Sequence, residues 1–198
     1  MVCVKKLQSE FRNVQSYAQK NLSHIRDILE KQIVFKKFLI TDGTWAGKYH
    51  PDYLTPKLTR GFKRGKIFDE KPNQDCVLVY LDSKETILYM LTKSNNPKFN
   101  HESYYRVEYN GYLYFLYKFD DNFADWGASY RAKYNPDGTL VEWIQLGLTI
   151  IQNEYYHSNG QVLCKNCYIN PLNSLYDSYS EYTFELDNGK VRNLIKVN

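Results

Sequence analysis

With 198 residues, 43% of them hydrophobic and 24% charged, the chain can build one sizeable core and bury roughly 70% of its unfolded surface. That composition excludes a disordered or collagen-like chain, and no apolar run approaches the roughly 20 residues a membrane-spanning helix needs. The net charge of +4 hides a polarity along the chain: residues 1–66 hold 14 Lys/Arg against 5 Asp/Glu, and residues 67–198 hold 12 against 17. A basic end suits an anionic partner and an acidic remainder suits a basic one. The 19 Tyr, 10 Phe and 3 Trp favour half-buried strands and recognition surfaces. The first residues lack the basic-then-apolar order of a secretory signal, and Cys3, Cys76, Cys164 and Cys167 are too few for a disulfide scaffold, so a cytosolic chain with reduced thiols is expected.

In chain order, Val4, Leu7, Phe11, Val14, Ala18, Leu22, Ile25 and Leu29 recur at three- and four-residue steps, which predicts an amphipathic helix. Asn21 and Ser23 are candidate caps for a second segment, leaving one long helix or two in succession open. The helical part is assigned to residues 1–36. From residue 43 to 198 the period becomes two, and about a dozen short strands are predicted, from Trp45–His50 and Arg60–Phe68 through Tyr112–Phe119 to Val191–Val197. Asn110-Gly111, Pro136-Asp137-Gly138, Ser158-Asn159-Gly160 and Asp187-Asn188-Gly189 supply the positive φ that tight hairpins require. The expected fold is therefore mainly β: a single-domain antiparallel meander forming a curled sheet or a barrel, with an N-terminal helix packed on the sheet or across its open end. Residues 94–103 and 170–180 are the longer loops and candidate contact sites.

Candidate binding residues fall in two groups. Lys57, Arg60, Phe62, Lys63, Arg64 and Lys66 place five cations and an aromatic ring within ten positions, which suits phosphate contacts and base stacking, or else defends an edge strand. Asp120, Asp121 and Asp125 beside Trp126 crowd three carboxylates into six positions. Cys164 and Cys167 have a zinc-knuckle spacing, but the sequence offers no second pair, and on a strand residues three apart face opposite ways. His101 beside Glu102 diverges for the same reason. Neither a catalytic motif nor a metal or cofactor signature is present, so non-enzymatic binding is expected.

Two family resemblances sharpen that expectation. Tyr134-Asn135-Pro136-Asp137-Gly138-Thr139-Leu140 and Tyr156-His157-Ser158-Asn159-Gly160-Gln161-Val162, with a looser copy over Phe184–Val191, resemble the MORN-like repeats of bacterial antitoxin and immunity components. The resemblance implies a protein that blocks a cognate toxin by direct binding. Gly43-Thr44-Trp45 resembles the Gly-x-Trp start of lipocalin-like (calycin) barrels, which implies that Trp45 closes one end under Arg192 and that the barrel holds an apolar or chromophoric small molecule. A nucleic-acid-binding module on residues 57–66 is the third alternative.

Overall fold

The computed structural model describes residues 4–40, 51–54, 66–96, 98, 101–119, 122–123, 129–172, 175, 177–188 and 190–197, with the backbone alone at 101–103, 119 and 122–123. Two helices, α1 (Val4–Lys20) and α2 (Leu22–Gln32), precede β1 (Phe35–Ile40), β2 (Lys66–Phe68), β3 (Cys76–Leu81), β4 (Ile87–Lys93), β5 (His101–Tyr109), β6 (Tyr112–Phe119), β7 (Asn122–Phe123), β8 (Ser129–Tyr134), β9 (Leu140–Leu146), β10 (Ile150–Ser158), β11 (Gln161–Ile169), β12 (Ser178–Asp187) and β13 (Lys190–Lys196).

Asn21 breaks the helical pattern in two. Its side chain caps the first helix, not the second: Nδ2 donates to the Tyr17 carbonyl at 2.8 Å, and no side-chain cap forms on α2. Helix ends at Gln32, four residues short of the expected boundary. Phe35–Ile40 is a strand because its alternate residues serve two faces: Leu39 enters the core, and Lys36 stays exposed on the opposite side.

All strands are antiparallel, and their order is β13-β12-β11-β10-β9-β8-β6-β5-β4-β3-β1-β2, with β7 paired to β6. The meander is broken only at its start, where β1 lies between β2 and β3. Of the two expected closures the sheet takes the open one, for among the described residues β2 and β13 are its free ends. The β13 edge carries Lys190, Arg192 and Lys196 and a bulge with Asn193 at φ 48°, devices that hinder unwanted strand pairing. The predicted hairpins are present: Asn110-Gly111 and Asn159-Gly160 have positive φ at both positions, the geometry whose twist matches the flanking strands. Residues 101–103 and 178–180, expected in loops, extend β5 and β12.

Alternation sends side chains to two cores. The inner face buries Leu39, Val79, Met90, Tyr104, Phe115, Trp143, Cys164, Phe184 and Val191, spanning β1 to β13, and Leu54 joins them from residues 51–54. Trp143 stacks on Tyr130 at 5.0 Å. The outer face buries Leu88, Tyr105, Val107, Tyr114, Leu116, Ile144, Ile150 and Ile169 beneath Leu7, Phe11, Val14, Ala18, Ile25 and Leu29 of the helices.

Two arginines pin the helices in place. Arg131 on β8 donates from Nη1 to Glu10 of α1 at 2.6 Å and from Nη2 to Glu142 of β9 at 2.7 Å, and its guanidinium lies 4.5 Å from the Tyr112 ring. The Tyr114 hydroxyl donates to the same Glu10 oxygen at 2.5 Å. Arg106 on β5 stands where β4 stops pairing with β5. It donates to Asp82 at 3.0 Å and to Gln32 at the end of α2 at 2.5 Å. Asp82 in turn accepts the Lys84 and Thr86 N–H groups, each at 2.9 Å, and so shapes the β3–β4 turn. Burial alone would raise the Asp82 carboxyl, but the Thr86 and Lys84 N–H groups and Arg106 outweigh it and hold it below the usual carboxylate range.

Replacing Arg131 with Leu strands Glu10 and Glu142 at a half-buried junction, and a loss of about 3 kcal/mol is expected in urea unfolding. Because the folded Asp82 pKa is depressed, its contribution is complete above the unfolded value of about 3.9 and is lost as pH falls through the folded value. Asp82→Asn should therefore be less stable than wild type at neutral pH, with the difference shrinking as pH drops below about 4, measured by chemical denaturation across that range.

Candidate functional site

The helices cover only the middle of the outer face, and β10, β11 and β12 continue past them. Strand register arranges their outward side chains in three rows. Glu142, Glu154, Lys165 and Glu181 form the middle row, Tyr156, Leu163, Thr183 and Ile195 one flank, and Ile144, Gln152, Cys167 and Tyr179 the other. Tyr156 and Tyr179 are each 50% exposed and Ile195 60%, so large apolar groups stand in water on both sides of an acidic row.

These side chains are held before any partner arrives. The Tyr156 hydroxyl donates to Glu154 at 2.9 Å, Gln152 donates to the other Glu154 oxygen at 2.8 Å, and the Tyr179 hydroxyl donates to Glu181 at 2.7 Å. The Lys165 ammonium sits 5.3 Å from the Tyr156 ring. The hydrogen bond to Glu181 pushes the Tyr179 hydroxyl up to about 12, and the bond to Glu154 raises that of Tyr156. Both remain protonated donors at neutral pH, and their ordering lowers the entropy that binding has to overcome.

Beneath this face, the inner side carries a buried polar latch. Asp52, 2% exposed, accepts the Tyr155 hydroxyl and the Asn153 amide at 3.1 and 3.2 Å. Asn166 fixes that amide by donating to its oxygen at 2.6 Å. Tyr53 accepts the Leu140 N–H at 3.2 Å, and His157 donates to the Leu140 carbonyl at 3.0 Å. Burial and then the Asp52 charge push the Tyr155 hydroxyl and the Cys164 thiol far above their ordinary values. Cys164 is thus an inert thiol, and the latch fastens residues 51–54 to β10.

The structure separates several of the sequence candidates. Cys164 belongs to the inner core and Cys167 to the outer face, so the pair shares no ligand position. Lys66 is exposed at the start of β2, and by register its side chain shares the outer face with Lys36 on β1, far across the sheet from the acidic row. Arg192 is exposed and donates to Asp187 at 3.4 Å. Trp45, Lys57, Arg60, Phe62, Lys63, Arg64, Asp120, Asp121, Asp125 and Trp126 lie outside the described residues. The sequence analysis missed Glu154, Tyr156, Lys165, Tyr179 and Glu181. The alternation Gln152-x-Glu154-x-Tyr156 signalled a polar outer side, but only register brings it beside Lys165 and Glu181.

Comparison with protein-family models, with curated proteins and with solved structures finds no match to this chain.

Asn153→Leu removes a donor from the buried Asp52 carboxylate and the acceptor used by Asn166. A loss of about 1–3 kcal/mol is expected, read as a lowered midpoint of thermal unfolding, whereas Glu154→Gln on the exposed face should shift the midpoint by no more than about 0.5 kcal/mol equivalent.

Proposed function

We propose that the chain is a non-enzymatic binding protein of the immunity or antitoxin type, and that it blocks a basic partner protein with the outer face of β10–β12. The observation that carries this reading is the row Glu142, Glu154, Lys165 and Glu181 flanked by exposed Tyr156, Tyr179 and Ile195. Glu142 is neutralised by Arg131, which leaves Glu154 and Glu181 on either side of Lys165 as the carboxylates offered to a cationic surface, and complementary charge speeds association and rejects wrong partners. Tyrosine is a preferred anchor because it buries much area with few rotatable bonds. The MORN-like turns add support, since Asn159-Gly160 joins the two strands that carry Tyr156 and Lys165.

The test is co-expression with the product of the adjacent gene, followed by kinetic binding of the purified pair. Protection from its toxicity and a stable complex are expected. Glu154→Lys with Glu181→Lys should slow association about tenfold or more, and Tyr156→Ala and Tyr179→Ala should each raise Kd about tenfold, chiefly through faster dissociation. Wild-type affinity in all of these variants, or the absence of a complex, overturns the proposal.

A further inference from the structure

The last strand of the sheet has only one side in use. Among the described residues β13 pairs with β12 alone, and its two halves differ. Residues 190–192 hold two of its cations, and Arg192 is engaged with Asp187. Asn193, at φ 48°, then bulges the strand and donates to Glu185 at 2.8 Å. Beyond the bulge the chain runs Leu194-Ile195-Lys196-Val197, and the three aliphatic side chains are 37%, 60% and 57% exposed. Edges that face water ordinarily carry charge or proline there instead.

The backbone shows what this half can bind. Val197 donates its N–H to the Glu181 carbonyl at 2.8 Å, and along a strand the peptide groups of successive residues point to opposite sides. Ile195 therefore bonds toward β12, opposite Thr183, and Leu194 and Lys196 turn their N–H and C=O groups to the open edge. A two-fold axis beside Ile195 answers them with the same chain. Leu194 then meets Lys196 of the second copy, and Lys196 meets its Leu194, each pair exchanging both N–H···O=C bonds. Ile195 meets Ile195 on the outer face, which takes two exposed aliphatic side chains out of water. No two charges stand opposite each other, and the lysine stems lie along leucine. The register is self-complementary, as a contact between identical surfaces demands, and the Asn193 bulge confines it to one short stretch.

We infer that two copies of this chain join edge to edge through residues 194–197 of β13, antiparallel, with Ile195 at the two-fold axis, so that their sheets become one. The contact is smaller than a standard stable interface, and a Kd on the order of 10–100 µM is expected. Edge pairing lays nothing over Tyr156, Tyr179 or the acidic row, and it does not require the immunity reading to hold.

Sedimentation equilibrium of the full chain from about 1 to about 500 µM tests it. A reversible monomer–dimer equilibrium is expected, without larger species. Lys196→Pro removes an N–H that faces the open edge, a position where proline is tolerated, and Ile195→Lys sets two ammonium groups opposite each other. Both variants should stay monomeric throughout, with thermal unfolding near that of wild type. Oxidation reads the register: where paired residues share no hydrogen bond their Cα atoms stand about 4.5 Å apart, within disulfide reach. Ile195→Cys should therefore form a covalent dimer under conditions in which wild type and Lys196→Cys do not. A chain that stays monomeric at the highest concentration, a dimer that survives both Lys196→Pro and Ile195→Lys, or a Lys196→Cys variant that cross-links as readily as Ile195→Cys would each overturn the assignment.

Discussion

The placement of the two helices on the sheet depends on a buried guanidinium shared between carboxylates. Arg131 lies between Glu10 and Glu142 with Tyr114 on the same Glu10 oxygen. Burial would pull the Arg131 pKa down, but its two carboxylate partners raise it further, so it stays charged. A charge in such surroundings is stable only with its partners in position, which makes the junction selective for one docking of α1. Arg106 performs the same service for α2 through Gln32. With both helices pinned over β5, β6 and β9, the outer face is divided into a covered centre and an open C-terminal part.

That division separates the two halves of the chain on the outer face. The apolar helix stripe is consumed by the protein's own sheet, where Phe11 meets Tyr114 edge-on at 5.5 Å and Tyr17 meets Tyr109 at 5.1 Å, so it is not free to serve a partner. The charge polarity seen along the sequence becomes a polarity across one surface: Lys36 and Lys66 fall on the outer side of β1 and β2, and Glu154 and Glu181 on that of β10 and β12. The tyrosines divide in the same way. Tyr80, Tyr89 and Tyr105 stack in a row across β3, β4 and β5, with centroids 4.2 and 5.6 Å apart, and occupy one another's faces, whereas Tyr156 and Tyr179 expose theirs.

The inner face obeys a different economy. It is filled by large side chains from nearly every strand, and among the described residues Asp52 is the one buried carboxylate. A fully apolar residue there would avoid the desolvation cost, but only a group with two acceptors can hold Tyr155 and Asn153 together and thereby seat residues 51–54 in one register. The latch and the outer face share β10: Asn153 and Tyr155 point inward, and Glu154 and Tyr156 point outward. Rigidity beneath the candidate docking face therefore follows from the packing behind it.

Local patterns were legible in the sequence alone. The three-to-four spacing of Leu7, Phe11, Val14 and Ala18 marks the buried helix stripe, and the Asn-Gly pairs mark hairpins because few other residues tolerate positive φ at two successive positions. Strands such as Tyr112–Phe119 and Ser129–Tyr134 came out with the observed boundaries. Phe35–Ile40 did not, since Phe-Lys-Lys-Phe reads equally well as the end of an amphipathic helix until its pairing with β3 settles the matter. The buried Asp52 latch and the acidic row were equally invisible, because Asp52 lies 101 positions from Asn153, and Glu154, Lys165 and Glu181 become neighbours only through register. Periodicity and turn chemistry act within a few residues and belong to the sequence; which side chains meet across strands, and which face the helices leave open, are decided by long-range packing that no local pattern encodes.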